Sequence, residues 1–506
     1  MGSGVSGSGV WMRVVAGAAL ATTGMIAFGQ AAPADAKPKV EPRITKEQAK
    51  ELFRSVDEIL AFVSTDTKLP IEHPVKRVMI SRDQVNKYLT QKFNEDEGTK
   101  RLERSEIVLK KFGLLDRDFH LGPFLVTLLT EQIAGFYDNK TKTVNLLDWI
   151  QPEEQKPVLA HELTHALQDQ KVGLTKWSEA SEHGVAKNSQ EDTKHIQTDE
   201  AETAREAVAE GQAMVSFVDY TLKPAGKTLL DAPELADRFK EAAADTSGSP
   251  VLARAPLLLQ ESLLFPYSEG LSFEEAVMVK AGREAAFAGV LANPPSSSFE
   301  IMHPAAYLGH VPVPTLRLPD IHPLLDAEYT PYDVGVMGEL DVKMLTELFA
   351  GHEVSAAITP AWDGGIYFAA QKKSAVTAAE KESTASLGLL YYSRWKSAKA
   401  AQAFMQVYAG QLARKYSGVV RRNKDEADAG EQIYSTNEGD VLLSITGEGV
   451  FIGEGFPLAL SRTLRDKVAG AQSSGPLQLA AVPMREPAMG LVQMMGSFGM
   501  MKVAVR

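Results

Sequence analysis

The chain has 506 residues, of which 44% are hydrophobic and 23% are charged, a composition typical of a globular protein with two or three domains. Its formal net charge of −12, with no local cluster of lysine and arginine, argues against a nucleic-acid-binding surface. The absence of cysteine excludes disulfide bonds, a lipid-attached cysteine anchor and thiolate-rich metal sites.

The amino terminus has the pattern of a targeting segment. Arg13 precedes an apolar run over 14–28, which is shorter than the roughly 20 residues of a membrane-spanning helix. Ala34-Asp35-Ala36 fits an A-x-A cleavage site, with 29–31 as a competing site, so residues 1–36 are predicted to be a signal peptide. We therefore expect an exported protein, periplasmic or extracellular, with no stable membrane span after cleavage; an uncleaved membrane anchor is the alternative.

Residues 37–112 are predicted to form a helical lead-in, with one helix at 44–63 and further helical pieces up to residue 112. A helix at 121–133 follows. Two short strands, at 134–138 and 143–147, then flank a predicted turn. This hairpin leads directly into the next predicted helix.

That helix, at 157–172, contains His161, Glu162 and His165 in the pattern HExxH. Two histidines four residues apart on a helix point the same way, so both imidazoles can bind one zinc ion. The glutamate beside the first histidine can accept a proton from water activated by the metal, as in zinc hydrolases. Asp169, one turn after His165, is a candidate to orient that ring.

A catalytic zinc needs a third protein ligand, which must come from elsewhere in the chain. Residues 171–197 are polar and are predicted to be a long loop or insertion, and helical character resumes at 198–222. Helical spacing places Glu202, Glu206 and Glu210 on one stripe, and spacing alone does not choose among them. Three histidines could in principle replace them: His120, His183 and His195.

The HExxH run followed downstream by Glu210-Gly211-Gln212-Ala213 resembles the gluzincin (HExxH...E) zinc metallopeptidases of the peptidase MA-like kind. In that family the glutamate of a Glu-Gly-x-Ala run on a second helix is the third zinc ligand. The resemblance therefore implies Glu210 as ligand, with Glu206 as the second choice. The interval from His165 to Glu210 is longer than in compact members, and the polar insertion accounts for it. A likeness to a bacterial group of exported gluzincin-like proteins covers about 121–313, with similar stretches at 135–138, 265–270 and 294–304.

The resemblance also implies the mechanism of metal-assisted peptide hydrolysis, with Glu162 as general base. A second electrophile usually stabilises the oxyanion in such reactions, and the candidates are His303, Tyr307 and Tyr267. In a gluzincin the strand before the active helix forms an edge of the cleft. Strand 143–147 is therefore expected to pair with an extended peptide.

Beyond a proline-rich, irregular segment at 291–323, the composition changes to short apolar strands and a long helix, typical of a separate α+β module. Residues 362–365 are predicted to form a tight turn, and three aromatic residues are predicted to lie in the core: Trp395, Phe404 and Tyr408. The predicted elements are strands at 365–368, 387–392, 440–444 and 449–452 and a helix at 397–415.

Together, the patterns and the resemblance predict an α+β protein with a zincin-like, mainly helical metallopeptidase domain, a small β-sheet edge and a C-terminal α+β domain. The predicted segments are a signal peptide (1–36), a helical lead-in (37–112), a gluzincin domain (113–326), a C-terminal α+β domain (327–480) and a Met-rich tail (481–506).

The predicted function is that of an exported zinc metallopeptidase with Zn²⁺ on His161, His165 and Glu210, acting on a peptide or protein. The rival is a non-catalytic binding or scaffold protein of the cell envelope that keeps the zincin fold. Glu162 argues against the rival, because a structural zinc needs no general base. Hydrolysis of a non-peptide amide is a further alternative, since its zinc chemistry would be the same.

Overall fold

The computed structural model describes residues 43–472 except 94–95, 134, 182–183, 233 and 237–248. The predicted signal peptide, the Met-rich tail and His183 lie outside the described residues. The described chain combines helices and two sheets, so the predicted α+β class is confirmed. Among the described residues, no helix combines the length and the apolarity that crossing a membrane requires.

The α-helices include, in chain order, α1 (Lys46–Thr67), α2 (Arg82–Phe93), α3 (Asp96–Phe112), α4 (Leu121–Gln132), α5 (Pro152–Val172), α6 (Leu174–Ser178), α7 (Ser189–Thr198), α8 (Ala201–Leu222), α9 (Pro250–Ala253), α10 (Leu257–Ala281), α11 (Val290–Ala292), α12 (Ser298–Met302), α13 (Pro304–Leu308), α14 (His322–Leu325), α15 (Glu339–Ala350), α16 (His352–Ile358), α17 (Ala378–Lys381), α18 (Ala398–Gly410), α19 (Leu412–Lys415) and α20 (Leu458–Ala471). The strands are β1 (Lys76–Ile80), β2 (Phe136–Asp138), β3 (Thr143–Leu147), β4 (Tyr329–Val336), β5 (Trp362–Lys372), β6 (Leu387–Trp395), β7 (Val420–Arg421), β8 (Glu431–Thr436), β9 (Gly439–Thr446) and β10 (Gly449–Glu454).

The smaller sheet has three strands in the order β1-β3-β2. The predicted hairpin is present, because β2 pairs antiparallel with β3. Strand β1, in the lead-in predicted to be helical, pairs parallel with the other side of β3. Strand β3 is therefore central, and the prediction that 143–147 is an edge open to a peptide is wrong. Both of its sides are already hydrogen-bonded to neighbouring strands.

Helix α5 is the central helix of this part of the chain. It begins at Pro152, earlier than predicted, so Pro157 lies inside it, and it ends before Gly173, whose φ of 67° lies in the left-handed region that favours glycine. Residues 158–169 are buried without a break, so this part of the helix has no solvent-facing side. The polar side chains of that stretch must therefore find partners inside the protein.

Helix α8 packs against α5 and against α10, and its approach to α10 is unusually close. A Cβ atom added at Gly211 would lie 2.3 Å from the carbonyl oxygen of Gly270, and one at Gly270 would lie 2.1 Å from the carbonyl oxygen of Ala207. Only glycine at both positions allows the two helix backbones to touch here. This contact sets the position of α8 immediately after Glu210.

The polar stretch predicted as a loop at 171–197 is more structured than expected. It contains the short helix α6 and the helix α7, which begins after Asn188. The Asn188 side chain accepts hydrogen bonds from the amides of Gln190 and Glu191, a typical N-cap. Helix α8 then begins at Ala201 rather than at 198.

A buried carboxylate pair ties helix α1 to helix α8. Arg283 lies between Asp66 and Asp219, with nitrogen–oxygen distances of 2.8 Å and 2.6 Å. Burial, and then the charge of Asp219, raise the pKa of Asp66 to about 7. Asp66 therefore carries a proton at mildly acidic pH.

The larger sheet has seven strands in the order β4-β5-β6-β10-β9-β8-β7, with every neighbouring pair antiparallel. Strands were predicted within β5, β6, β9 and β10, whereas β4, β7 and β8 were missed. The turn predicted at 362–365 is instead an irregularity within β5, where the pairing with β6 shifts between Trp362 and Gly365.

Alternate residues of strand β6 enter different cores, as the two-residue period of a strand requires. Leu389 and Tyr391 join a core that continues into the helices of the amino-terminal half, whereas Leu390 and Tyr392 pack with helix α20. Phe112 of the lead-in contacts the sheet directly, with its ring 5.9 Å from that of Tyr391. The three aromatic residues predicted as core are each 0% exposed, which confirms that prediction: Trp395, Phe404 and Tyr408.

Candidate metal centre

Three potential metal ligands meet between helices α5 and α8. His161 and His165 lie one turn apart on α5 and point to the same side, as the four-residue spacing predicts. Glu210 reaches them from α8. The exposed fractions of His161, His165 and Glu210 are 6%, 0% and 0%. In the part of the chain that the structure describes, this is the only group of three or more such residues whose ligand atoms lie within 4.8 Å of one another.

The three ligand atoms form a nearly equilateral triangle. The Nε2 atoms of His161 and His165 are 3.1 Å apart, and Glu210 Oε2 lies 3.0 Å from the first and 3.5 Å from the second. Atoms bound tetrahedrally to one zinc ion at about 2.0–2.1 Å are separated by about 3.3 Å. The triangle therefore has the size of one face of a zinc coordination tetrahedron.

The structure distinguishes among the glutamates of the predicted stripe. Glu202, Glu206 and Glu210 are all buried, so the stripe is not a solvated helix face. Glu202 Oε1 accepts hydrogen bonds from the amides of Ala180 and Ser181. Of these three glutamates, only Glu210 belongs to the triad. The alternative ligands His120 and His195 lie outside it.

Glu162 lies beside the triad and is held by the neighbouring sheet. Its side chain is 3% exposed, and the backbone amide of Tyr137 in β2 donates a hydrogen bond of 2.8 Å to Glu162 Oε2. An amide donor stabilises the ionised carboxylate, the form that a general base needs. Because this amide points away from β3, the outer side of β2 faces helix α5 at this position.

The prediction that Asp169 orients His165 is wrong. Gln168 does so, with its Oε1 atom 2.8 Å from His165 Nδ1. Asp169 Oδ2 instead accepts hydrogen bonds from the Tyr137 hydroxyl at 2.8 Å and from Lys142 Nζ at 2.5 Å. Burial, and then the charge of Asp169, raise the pKa of Tyr137, so the phenol stays protonated.

Tyr137 and Gln168 were both missed from the sequence. Gln168 carries a local signal, because residues three apart on a helix share a face. Tyr137 carries no local sequence signal, because its contacts to Glu162 and Asp169 join a strand to a helix. It bridges two carboxylates of α5 that lie two turns apart, and so fixes the rotation of that helix against the sheet.

The candidates for oxyanion stabilisation lie in different environments. His303 Nε2 is 2.7 Å from Glu339 Oε2, and Tyr307 donates its hydroxyl to the carbonyl of Asn293 at 2.6 Å. Neither contact involves a residue of the triad, so these contacts give the predicted role of His303 and Tyr307 no support. Tyr267 is the candidate that lies against the site: its ring stacks on that of the first motif histidine, with 6.0 Å between centroids and 19° between planes.

Comparisons with protein-family models, with curated proteins and with solved structures found no match to this chain. The interpretation of the site therefore depends on its own geometry and on the chemistry of its residues.

Proposed function

We propose that this chain is a zinc-dependent metallopeptidase of the gluzincin type, with His161, His165 and Glu210 as metal ligands. The observation that carries the proposal is the triangle of two imidazole nitrogens and one carboxylate oxygen, with edges of 3.0, 3.1 and 3.5 Å. These edges match a zinc tetrahedron, and two histidines with one glutamate are the donor set of catalytic zinc in several peptidases.

The donor chemistry favours a catalytic ion over a structural one. Structural zinc sites are usually closed by four ligands and are rich in thiolates, whereas this chain has no cysteine. Three protein ligands leave a fourth position for water or substrate. The presence of Glu162 beside that position supports the same conclusion.

A bound zinc ion would supply Lewis acidity, lowering the pKa of water and polarising the scissile carbonyl. Glu162 takes the proton of the attacking water on its carboxylate and passes it to the leaving amine. The Tyr137 amide holds that carboxylate in position. Tyr267, whose ring stacks on that of His161, is the candidate that would donate a hydrogen bond to the developing oxyanion.

The mechanism fits an amide substrate, whose cleavage needs both water activation and protonation of the amine, and the gluzincin resemblance makes that substrate a peptide or protein. The targeting pattern at 1–36 supports export, so the working compartment would be periplasmic or extracellular.

The test measures zinc content of the purified full chain together with chelator-sensitive cleavage of an unfolded protein. Wild type is expected to hold one zinc per chain and to cleave. Glu162→Gln should keep the zinc and lose cleavage, because only the base is removed, whereas Glu210→Gln should lose both.

Glu206→Gln is the matched control, a buried carboxylate one turn earlier on the same helix, and should keep zinc and cleavage. A wild-type protein that holds no zinc would refute the proposal. Zinc bound without any cleavage would favour the rival, a scaffold protein that retains the metal.

A further inference from the structure

We propose that Gln168 and Gln212 are positioning residues, which hold neutral His165 in the tautomer whose Nε2 lone pair faces the metal position. The inference rests on the proposed function in one respect, that His165 is a ligand. The hydrogen-bond chain that carries it consists of protein groups alone.

The chain of hydrogen bonds begins at a single turn of π-helix, Ala285–Gly289, which follows helix α10. Gln212 Nε2 donates to the backbone carbonyls of Ala286 at 2.8 Å and Phe287 at 3.2 Å. A carbonyl only accepts, so these contacts fix which end of the Gln212 amide is nitrogen. Single turns of π-helix occur frequently at functional sites, and this one presents two backbone carbonyls to the Gln212 side chain.

The second link joins helices α8 and α5. Gln168 Nε2 donates to Gln212 Oε1 at 2.9 Å and to the backbone carbonyl of Ala209 at 3.0 Å. The orientation of the Gln168 amide is thus fixed twice, once by a backbone carbonyl and once by the oriented Gln212. Its oxygen must therefore point the other way.

That oxygen, Gln168 Oε1, lies 2.8 Å from His165 Nδ1. Because an amide oxygen can only accept, His165 Nδ1 must carry the hydrogen. In a neutral imidazole the lone pair is then on Nε2. This is the atom that lies 3.1 Å from His161 Nε2 and 3.5 Å from Glu210 Oε2, so the lone pair faces the centre of the triad.

Burial makes a reversed orientation of either amide costly, and the buried Glu274 carboxyl group, which also accepts from Gln212, favours the same orientation. Gln168 and Gln212 are each 0% exposed. A reversed amide would face a carbonyl oxygen with another oxygen, in surroundings without bulk water to compensate. Hydrogen-bond partners of metal-binding histidines fix the tautomer and ring orientation, and their loss typically weakens metal affinity 10- to 100-fold.

The test compares Gln168→Met and Gln212→Met with wild type in the full chain. Zinc affinity, measured by competition with a chromophoric chelator, is expected to fall about 10- to 100-fold in each variant. In the metal-free proteins, nitrogen-15 NMR of the histidine rings should show His165 as the Nδ1–H tautomer in wild type. Loss of that single tautomer is expected in both variants. The double variant should lose no more affinity than either single one, because the two residues act as one chain.

Gln155→Met is the matched control. Gln155 is also a buried glutamine of α5, and its amide bonds the backbone of Leu147 and Ile150. Its loss should lower stability while zinc affinity and the His165 tautomer stay as in wild type. Where Gln168→Met fails to fold, Gln212→Met alone serves, because it removes the acceptor that orients the Gln168 amide and leaves the Gln168–His165 contact partners in place.

The outcomes separate the two proposals. A wild type without zinc would refute the proposed function, and the tautomer measurement would still decide whether the glutamines orient the ring. Zinc bound by wild type, with unchanged affinity and tautomer in Gln168→Met, would refute the positioning role alone.

Discussion

The contact between helices α8 and α10 makes Gly211→Ala an informative substitution. Alanine is the better helix former by about 0.5–1 kcal/mol, so helix propensity alone predicts a gain in stability. The new Cβ, however, would lie 2.3 Å from the carbonyl oxygen of Gly270, where at least 3.0 Å is needed. The two backbones must therefore separate by about 0.7 Å, because close-packed helices cannot absorb the overlap otherwise.

That separation reaches the candidate metal centre, because Gly211 directly follows Glu210. Metal–ligand distances tolerate deviations of about 0.2 Å, so a shift of this size should misplace the carboxylate. We expect a loss of about 1–3 kcal/mol in the free energy of unfolding from overpacking. We also expect zinc affinity to fall about 10- to 100-fold, as when groups that position ligands are removed.

The assay is thermal unfolding with and without zinc, together with zinc affinity by chelator competition. Gly470→Ala is the control, because Gly470 also lies within a helix, α20, and a Cβ there would meet nothing within 4 Å. It should be neutral or slightly stabilising, with unchanged zinc affinity. If Gly211→Ala behaves like Gly470→Ala, the reasoning from the helix contact is wrong.

Three further predictions concern other contacts. Asp66 has a folded-state pKa of about 7 against 3.8, so its contribution to stability is complete below pH 3.8 and is lost as pH rises through about 7. The Asp66→Asn variant should therefore become more stable relative to wild type as pH rises from 5 to 8, by at most about 4 kcal/mol in the free energy of unfolding. Unfolding midpoints measured across that range test this, and a pH-independent difference between the two proteins would contradict it. Tyr137→Phe removes the hydroxyl donor to Asp169 and should cost about 1–3 kcal/mol in thermal unfolding while zinc stoichiometry stays at wild-type level; an unchanged midpoint would argue against the bridge. Phe404→Ala empties a fully buried position beside Trp395 and should cost about 3–5 kcal/mol in denaturant unfolding; a loss below about 1 kcal/mol would mean that this core is not packed as described.

The residues that the sequence identified best were those related by local spacing. The histidines of the HExxH motif share a helix face because they are four residues apart, and that relation needs no tertiary information. Spacing narrowed the third ligand to three glutamates, and the family resemblance then favoured Glu210, the one that lies with the histidines. The metal itself, the peptidase activity and the export stay predictions.

The contacts that sequence reasoning missed or assigned wrongly are non-local. Tyr137 reaches Glu162 and Asp169 only because β2 lies along α5. The order β1-β3-β2 depends on a partner strand from the lead-in, so the position of β3 could not follow from its own residues.

The lack of a local sequence signal also explains why strands were missed in the larger sheet. Strand β4 contains a proline, an aspartate and a glycine, and β8 is mostly polar, so neither shows the apolar run that revealed their neighbours. Apolar runs identified the interior strands β5, β6, β9 and β10, which are buried on both faces.

The pairing of β1 with β3 makes the candidate metal centre depend on residues that precede the HExxH motif by about eighty positions. Here the segment that precedes the motif supplies a strand in register from Lys76 to Ile80, and Arg77 of that strand bonds the Phe53 carbonyl in α1. Its last helix packs Phe112 against the larger sheet. Removing β1 would leave one side of β3 without its partner strand, so β1 is an integral part of the sheet whose other edge strand, β2, holds Glu162.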